Sequence, residues 1–168
     1  FRLPGTDGKA KMSKSLGNCI YLSDEPDVIK SKIMSMYTDP THIRKEDQGH
    51  TKGNPVFTYL EAFCNPEHFK EFMPDYKNLD ELKAHYERGG LGDVTVKKFL
   101  NNVMQKELEI IRERRKMWEQ RLPDVYDILY QGSMKAKTVA ANTLEEVKHS
   151  MKIDYFENKN LLSKENER

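Results

Sequence analysis

Residues 5–18 read Gly-Thr-Asp-Gly-Lys-Ala-Lys-Met-Ser-Lys-Ser-Leu-Gly-Asn, and the rest of the chain is organised around this stretch. Two lysines, Lys11 and Lys14, lie three residues apart, with the hydroxyls of Ser13 and Ser15 beside them. Ammonium groups on long stems suit phosphate oxygens, and glycine lets a backbone approach a ligand closely. The stretch therefore predicts a mobile loop that binds a polyphosphate. A solvated lysine and serine loop without a ligand is the alternative.

The composition is that of a polar chain of single-domain size. It has 168 residues, of which 33% are charged, and a formal net charge of +1. A nearly neutral protein can bind nucleic acid only through a local basic patch. No apolar run approaches the roughly 20 residues that span a bilayer, so we expect no membrane association. We expect a cytoplasmic protein because two distant cysteines without a Cys-x-x-Cys pair suggest reduced thiols.

The cysteines and histidines do not form a recognisable metal or disulfide framework. Cys19 and Cys64 are far apart, and we predict that both are reduced, buried thiols. The five histidines have no metal-ligand spacing with them, so we predict no structural metal and no iron–sulfur cluster. The chain begins with Phe1 rather than methionine, and we expect it to be a piece of a longer protein.

The apolar spacing predicts an all-α protein of about seven helices packed as a bundle. The early helices are bounded by capping residues, prolines and glycines. They are predicted from Ser23 or Asp24 to Pro40, from Asn54 to Asn65, through Phe69 to Met73, and over residues 79–88. The polar connection over residues 38–54 is long for a compact protein, and we predict that it is mobile or functional.

The longest helix is predicted over residues 94–121, with Asp93 as its cap. Its predicted buried stripe comprises Val96, Phe99, Leu100, Val103, Met104, Leu108, Ile111 and Trp118. Its predicted solvent-exposed side comprises Lys97, Lys98, Lys106, Arg112, Arg114, Arg115 and Lys116. A short helix from Pro123 to Gly132 follows. The last helix, capped by Ser133, is predicted to bury Val139, Ala140, Leu144, Val147 and Met151.

Residues 11–18 resemble the second signature, Lys-Met-Ser-Lys-Ser, of the class I aminoacyl-tRNA synthetases. Because the isoleucine, valine and cysteine enzymes share this signature, the loop alone does not indicate the amino acid. Further stretches resemble the bacterial-type tryptophanyl-tRNA synthetases and follow that family's order. They are residues 3–8, 33–40, 56–63, 91–94, 97–100 and 132–140. The resemblance runs from residue 3 to about residue 153. Tyrosyl enzymes are the nearest relatives, but they usually depart from the signature.

The resemblance implies a function and a domain organisation. The parent enzyme would use ATP with Mg²⁺ to convert L-tryptophan to tryptophanyl adenylate, would transfer it to tRNA(Trp), and would be a homodimer. The first signature and the tryptophan pocket have no counterpart here, so we expect no activity from this chain alone. Residues 1–22 would be the loop and the end of a nucleotide-binding α/β domain. Residues 23–156 would be a helical anticodon-binding domain, and residues 157–168 a frayed polar tail.

The resemblance also assigns candidate site residues. Lys14 and Lys11 would be catalytic, and the ATP pyrophosphate would be held by Lys11, Met12, Ser13, Lys14 and Ser15. Met12 could equally be a packing residue that anchors the loop. The candidates for tRNA binding are Arg112, Arg114, Arg115, Lys116, Lys135 and Lys137. For each of these six, a solvated basic face is the alternative. We predict that Trp118 lies in the core rather than stacking on a base.

Two other functions remain compatible with the sequence. The chain could be a free-standing helical RNA-binding module without catalysis, in which case it would bind tRNA tightly by itself. It could also be a helical adaptor with an incidental lysine and serine loop, in which case the loop would not respond to ATP or pyrophosphate.

Overall fold

The computed structural model describes residues 3–155, and these residues form six α-helices joined by loops. The helices are α1 (Pro26–Met34), α2 (Pro55–Phe63), α3 (Pro66–Phe72), α4 (Leu79–Arg88), α5 (Asp93–Glu119) and α6 (Leu122–Ser150). Across residues 3–155 there is no strand, only an isolated antiparallel bridge between Pro4 and Lys11. The all-α prediction is confirmed, although with six helices in the described part instead of about seven.

The chain divides into two compact units, residues 1–116 and residues 117–168. The polar tail predicted over residues 157–168 lies outside the described residues. Within the described part of the chain, no helix has the length and apolar character needed to cross a membrane.

Asparagine side chains begin three of the short helices. Asn54 accepts a hydrogen bond from the Val56 amide (3.0 Å), and Asn78 accepts one from the Glu81 amide (3.0 Å). Asn65 forms a capping box with His68, in which each side chain accepts from the other residue's backbone N–H. The predicted start at Asn54 is confirmed, because asparagine followed by proline both satisfies and pre-orients the first turn. Asn65 and Pro66 were predicted only to end the preceding helix, and they also begin α3.

The predicted bounds of α1 are wrong at both ends. Its N-cap is Glu25, while the Asp24 carboxylate accepts from the Tyr21 amide (2.8 Å) and pairs with Lys32 (2.5 Å). The helix ends at Met34, not at Pro40. Ile29, Ile33 and Met36 are nevertheless buried, so the apolar face of this segment was predicted correctly.

The core lies in the first unit and is organised along the first part of α5. The buried α5 side chains are Val96, Phe99, Leu100, Val103, Met104 and Leu108. They form one cluster with buried side chains of α1–α4, among them the Phe69 ring, whose centroid lies 4.8 Å from that of Phe99. Ile111 and Trp118 continue the stripe in sequence but are 40% and 36% exposed, so their predicted burial is wrong. Burial on α5 ends at Leu108.

Lys97 was predicted on the exposed side of this helix, and that prediction is wrong. The residue is 8% exposed, and its ammonium donates to the carbonyls of Met34 (3.0 Å) and Met36 (2.7 Å). A lysine near the C-terminal end of a helix can bind the last carbonyls, which have no partner within the helix. Burial lowers the pKa of Lys97, against the opposing effect of the nearby Asp93 carboxylate.

The two helices predicted at the end of the chain are a single helix, α6. Gly132 and Ser133 lie in its interior, because an isolated glycine costs about 1 kcal/mol relative to alanine without ending a helix. No residue of α6 is buried in this chain. The predicted burial of its apolar face is therefore wrong for the described structure: Val139 is 60% exposed, and Leu144 is 52% exposed.

Candidate functional site

The signature loop, residues 5–18, is closed by backbone hydrogen bonds near its base. The Gly5 amide donates to the Ala10 carbonyl (2.7 Å), and the Thr6 amide donates to the Asn18 carbonyl (3.0 Å). Together with the bridge between Pro4 and Lys11, these bonds fold residues 5–10 into a tight turn and bring both ends of the loop together. The loop thus has a fixed base from which the signature residues project.

Asn18 holds the inside of the loop and was not identified from the sequence as a functional residue. It is 4% exposed, and its Oδ1 accepts from the Ser13 amide (2.8 Å). Its Nδ2 donates to the Lys11 carbonyl and to Asp7 Oδ1, both at 3.2 Å. A Cβ atom at Gly5 would lie 2.1 Å from Nδ2, so glycine is required for this close approach. One feature of the sequence could have indicated this role: Asn18 stands between a glycine and an apolar run. Short polar side chains in such positions often form hydrogen bonds with backbone groups of nearby residues.

The signature side chains themselves are mostly exposed. Lys11, Lys14 and Ser15 are exposed, Ser13 is half-buried, and the hydroxyls of Ser13 and Ser15 lie 2.8 Å apart. Within residues 3–155, neither the Lys11 nor the Lys14 ammonium has a hydrogen-bond or ion-pair partner. Two cationic groups and two hydroxyls are therefore brought together on one loop without an internal anion to neutralise them.

Met12 lies on the other side of the loop, towards the helices. Its half-buried side chain packs against the core cluster, and its Sδ lies 3.3 Å from the Tyr59 hydroxyl. That hydroxyl donates to the Pro4 carbonyl (2.9 Å), which fixes the base of the loop to α2. Burial raises the pKa of Tyr59 to about 12. These contacts give Met12 an anchoring position.

The loop's only carboxylate among residues 5–18, Asp7, faces the base of the loop. Its Oδ1 accepts from Asn18 Nδ2 (3.2 Å) and from the Lys9 amide (3.3 Å). Burial would raise the pKa of Asp7, but these hydrogen bonds outweigh it and lower the pKa overall. The Asp7 carboxylate is thus held in its ionised form, and its hydrogen bonds help to fix the structure of the loop.

The connection between α1 and α2, residues 35–54, packs beside the signature loop. The Tyr37 amide donates to the Thr6 carbonyl (3.0 Å), and a Cβ atom on Gly8 would meet the Tyr37 ring at 2.9 Å. Asp39 closes the connection on itself, because its Oδ2 accepts from both the amide (2.8 Å) and ring Nδ1 (2.6 Å) of His50. Burial acts to raise the pKa of Asp39, but hydrogen bonds from Thr41 and His50 hold it well below its usual range.

The same connection is also attached to α4 and α5. The His42 side chain, 1% exposed, lies with Nδ1 3.1 Å from Asp93 Oδ1, and the Tyr86 hydroxyl donates to that oxygen at 2.6 Å. The Gly90 amide donates to the Lys45 carbonyl (2.6 Å). Burial, followed by the hydrogen bond to Asp93, raises the pKa of Tyr86. The connection is therefore held to α4 and α5 at several points.

Two cavities adjoin the turn at residues 5–10. The first, about 330 Å³, lies between this turn and the connection and is lined by Gly8, Lys9, Tyr37, Asp39, Pro40, His50, Lys52, Gly53 and Asn54. The second, about 320 Å³, is lined by Leu3, Pro4, Lys9, Ala10 and Lys11. Lys9 lines both, so the two cavities are neighbours on the same surface.

The basic residues of α5 do not all share one face. With 3.6 residues per turn, Arg112, Arg115 and Lys116 lie on one side and Arg114 on the opposite side. Arg112 is half-buried and donates through Nη2 to the Gln105 carbonyl (3.1 Å). Arg114, Arg115 and Lys116 are exposed.

The candidates of the second unit lie in the middle of α6, not at the start of a helix. Lys135 and Lys137 are both exposed, and their spacing of two residues directs them to different sides. Trp118 is 36% exposed, and the Arg121 guanidinium lies over its ring at 5.1 Å from the centroid. The prediction that Trp118 belongs to the core is wrong for this chain.

The cysteine prediction holds in part. Both cysteines are free thiols; Cys19 is buried, whereas Cys64 is half-buried. Burial raises the pKa of Cys64 to about 11, which keeps it protonated near neutral pH.

Known proteins resemble this chain over most of its length. The profile of the family described as tRNA synthetases class I (W and Y) matches residues 2–109. The tryptophan–tRNA ligase of Clostridium longisporum is 60% identical over 157 residues, which is 94% of this chain and 43% of that protein. The tryptophan–tRNA ligase of Lactococcus lactis is 54% identical over 155 residues, or 92% of this chain and 43% of that protein.

A solved structure shows the same fold. The tryptophanyl-tRNA synthetase of Campylobacter jejuni, complexed with ADP and tryptophan, aligns with a TM-score of 0.70 and 26% identity. The alignment covers 90% of this chain and 43% of that one. The chain thus spans about two fifths of the length of the relatives it matches.

Proposed function

Because the chain belongs to the class I tRNA synthetases of the tryptophan and tyrosine family, we propose that it is the C-terminal part of a tryptophan–tRNA ligase. The full-length protein would activate L-tryptophan with MgATP and transfer it to tRNA(Trp). We expect it to act in the cytoplasm and as a homodimer. The observation that best supports this function is the signature loop, which presents the Lys11 and Lys14 ammonium groups without a partner among residues 3–155, from a base fixed by Asn18.

The chemistry explains why such a loop is needed. The carboxylate of the amino acid attacks the α-phosphorus of ATP, a new P–O bond forms, and the bond to the β-phosphate breaks. The electron pair of that bond leaves with pyrophosphate, so negative charge grows where Lys11 and Lys14 would lie. Positioning and electrostatic stabilisation are the main contributions that a protein makes to such a transfer. Ser13 and Ser15 would donate hydrogen bonds to the same phosphate oxygens.

The division of roles within the loop follows from its contacts. Met12 is directed to the core and Asn18 to the backbone, which leaves the lysines and serines for the ligand. Mg²⁺ would arrive with ATP as part of the substrate. In the described residues there is no group of three His, Cys, Asp or Glu side chains arranged to hold a metal.

Amino-acid-dependent pyrophosphate exchange with the full-length gene product tests this function. We expect exchange of labelled pyrophosphate into ATP with L-tryptophan and not with L-tyrosine, because only the cognate amino acid forms the adenylate. The isolated 168-residue chain should give no exchange. A full-length protein that is inactive with all amino acids, while this chain binds tRNA tightly, would instead indicate a free-standing RNA-binding module.

We further propose that the side of α5 bearing Arg112, Arg115 and Lys116 contacts tRNA. Arginine planes and cationic side chains suit the unstacked bases and phosphates of an RNA loop. Arg114 lies on the opposite side of the helix and is the matched control. The contribution of Lys135 and Lys137 would be smaller, because they do not share a face with each other.

The salt dependence of tRNA binding tests this surface. Each lost phosphate contact should reduce the steepness of the slope of log K against log salt concentration by about 1. We therefore expect Arg115→Ala and Lys116→Ala to reduce both affinity and slope, and Arg114→Ala to change neither. If none of the substitutions at Arg112, Arg115 and Lys116 alters affinity or slope, the tRNA site lies elsewhere on the protein.

A further inference from the structure

The cleft between the turn at residues 5–10 and the connection at residues 35–54 carries more positive charge than the signature accounts for. Lys9 from the turn lines it, as do Lys52 and His50 from the connection. Both lysines are exposed, and neither ammonium group has a hydrogen-bond or ion-pair partner among residues 3–155. None of these three residues belongs to the Lys-Met-Ser-Lys-Ser segment.

The single carboxylate of the cleft is already occupied. Asp39 Oδ1 accepts from the amide (2.9 Å) and hydroxyl (2.6 Å) of Thr41, and Oδ2 accepts from the amide and ring of His50. These bonds hold the ring of His50 in place by its Nδ1, while 74% of the side chain stays exposed to the cleft and solvent. The carboxylate therefore organises the cleft instead of neutralising Lys9 and Lys52.

The positive groups extend beyond this cleft. Lys9 also lines the neighbouring cavity, and so does Lys11. Lys52, Lys9 and Lys11 thus line two cavities that have Lys9 in common. A compact anion such as pyrophosphate would use one of these cavities. A run of cationic groups along an open surface suits a chain of phosphates instead.

We propose that Lys9, His50 and Lys52 form a second phosphate-binding site, which takes the sugar–phosphate backbone of single-stranded RNA leading to the signature loop. This assignment rests on the proposed function, because that function supplies an RNA substrate whose end must reach the adenylate. Sites for small ligands usually enclose most of the ligand surface. Here Lys9, Pro40, His50 and Lys52 are all exposed, so the cleft is open along its length.

Binding of a short single-stranded RNA to the 168-residue chain tests the proposal. We would measure fluorescence anisotropy of a labelled RNA dodecamer between about 50 and 200 mM salt. Each single-strand phosphate contact contributes about 0.7 to the slope, which at 0.1 M salt corresponds to about fivefold in affinity. We expect losses of this size for Lys9→Ala and for Lys52→Ala. Lys30→Ala, which removes an exposed lysine of α1 that lines neither cavity, should bind as the unaltered chain does.

Binding of inorganic pyrophosphate and of ATP to the same variants separates this proposal from the function on which it rests. We expect Lys14→Ala to weaken pyrophosphate binding, and Lys52→Ala to leave it unchanged. If Lys52→Ala and Lys9→Ala bind RNA like Lys30→Ala, or if the unaltered chain shows no saturable RNA binding, the second site is contradicted while the role of Lys14 stands. A loss of ATP binding without a loss of RNA binding in these variants would overturn the assignment to RNA. An unchanged pyrophosphate affinity in Lys14→Ala, together with weakened RNA binding in Lys52→Ala, would support the cleft and count against the signature loop.

Discussion

The first part of α5 and the whole of α6 are both amphipathic helices. The apolar face is buried in the first part of α5 and is not buried in α6. Six apolar side chains of α5 from Val96 to Leu108 pack into the core, whereas α6 buries no residue in this chain. Periodicity tells which side chains share a helix face. Whether that face is buried depends on a second surface, which α1–α4 supply for the first part of α5.

Truncating one leucine in each region should give the largest difference. Leu100→Ala should reduce the free energy of unfolding by about 2–5 kcal/mol, because Leu100 is 0% exposed and a cavity would remain. Leu144→Ala in α6 should change it by no more than about 0.5 kcal/mol. Urea denaturation followed by circular dichroism measures both. An equal loss for the two variants would mean that α6 is buried in solution and would remove the contrast.

A pair of neighbouring lysines sharpens the same contrast within α5. Lys97→Ala removes the donor for two carbonyls at the end of α1 and should cost about 1–3 kcal/mol. Lys98→Ala removes an exposed side chain and should be nearly neutral. Thermal melting of the two variants, side by side, distinguishes them. Similar melting temperatures would place the Lys97 ammonium in solvent, as the sequence pattern predicted.

The tyrosine that anchors the signature loop can be compared with one on α6. Tyr59→Phe loses the hydrogen bond to the Pro4 carbonyl and should cost about 0.5–1.5 kcal/mol, whereas Tyr126→Phe, at a residue that is 70% exposed, should cost nothing measurable.

The stability difference between the unaltered chain and Tyr59→Phe should depend on pH. Because the pKa of Tyr59 is raised to about 12, the stabilisation is fully present below the ordinary tyrosine pKa. It should be lost as the pH rises through the folded-state value. Denaturation at several values between about pH 8 and pH 12 would show this. A difference that stays constant over this range would argue against a buried, bonded hydroxyl.

Gly132→Ala should have the smallest effect and the opposite sign. A Cβ atom at Gly132 meets nothing within 4 Å, and alanine is favoured over glycine in a helix interior by about 1 kcal/mol at most. We expect α6 to become more helical and slightly more stable by circular dichroism. Destabilisation would mean that Gly132 ends a helix, as predicted from the sequence alone.

The sequence was sufficient for features that depend on local chemistry. Asparagine followed by proline marked the start of α2, and the apolar spacing of α5 identified its buried stripe up to Leu108. It was insufficient where a distant element decides the outcome. Lys97 is buried because the end of α1 needs donors, and Trp118 is exposed because no element of the described chain covers it.

The candidate site shows the same limit. The lysines and serines of residues 11–15 were evident from their chemistry and from the family resemblance. The residues that shape the loop were not evident from the sequence. Asn18 and Tyr59 donate hydrogen bonds to backbone carbonyls, and a sequence pattern does not show which carbonyls a side chain reaches. The pairing of Lys9 with Lys52 across one cleft also required the fold, since 43 positions separate them in sequence.

Replacement of Lys14 by alanine in the full-length protein tests the central claim most directly. Under the proposed function, ATP in the ground state would already be held by Mg²⁺ and the nucleotide-binding domain, whereas negative charge on pyrophosphate would grow only as the bond breaks. Lys14 should therefore act on the transition state more than on ATP binding. We predict that kcat for tryptophan-dependent pyrophosphate exchange falls about 10²–10³-fold, equivalent to about 3–4 kcal/mol, with little change in KM for ATP. Lys30→Ala, the tRNA affinity and the melting temperature serve as controls. A strong rise in KM for ATP with kcat near that of the unaltered protein would contradict the account.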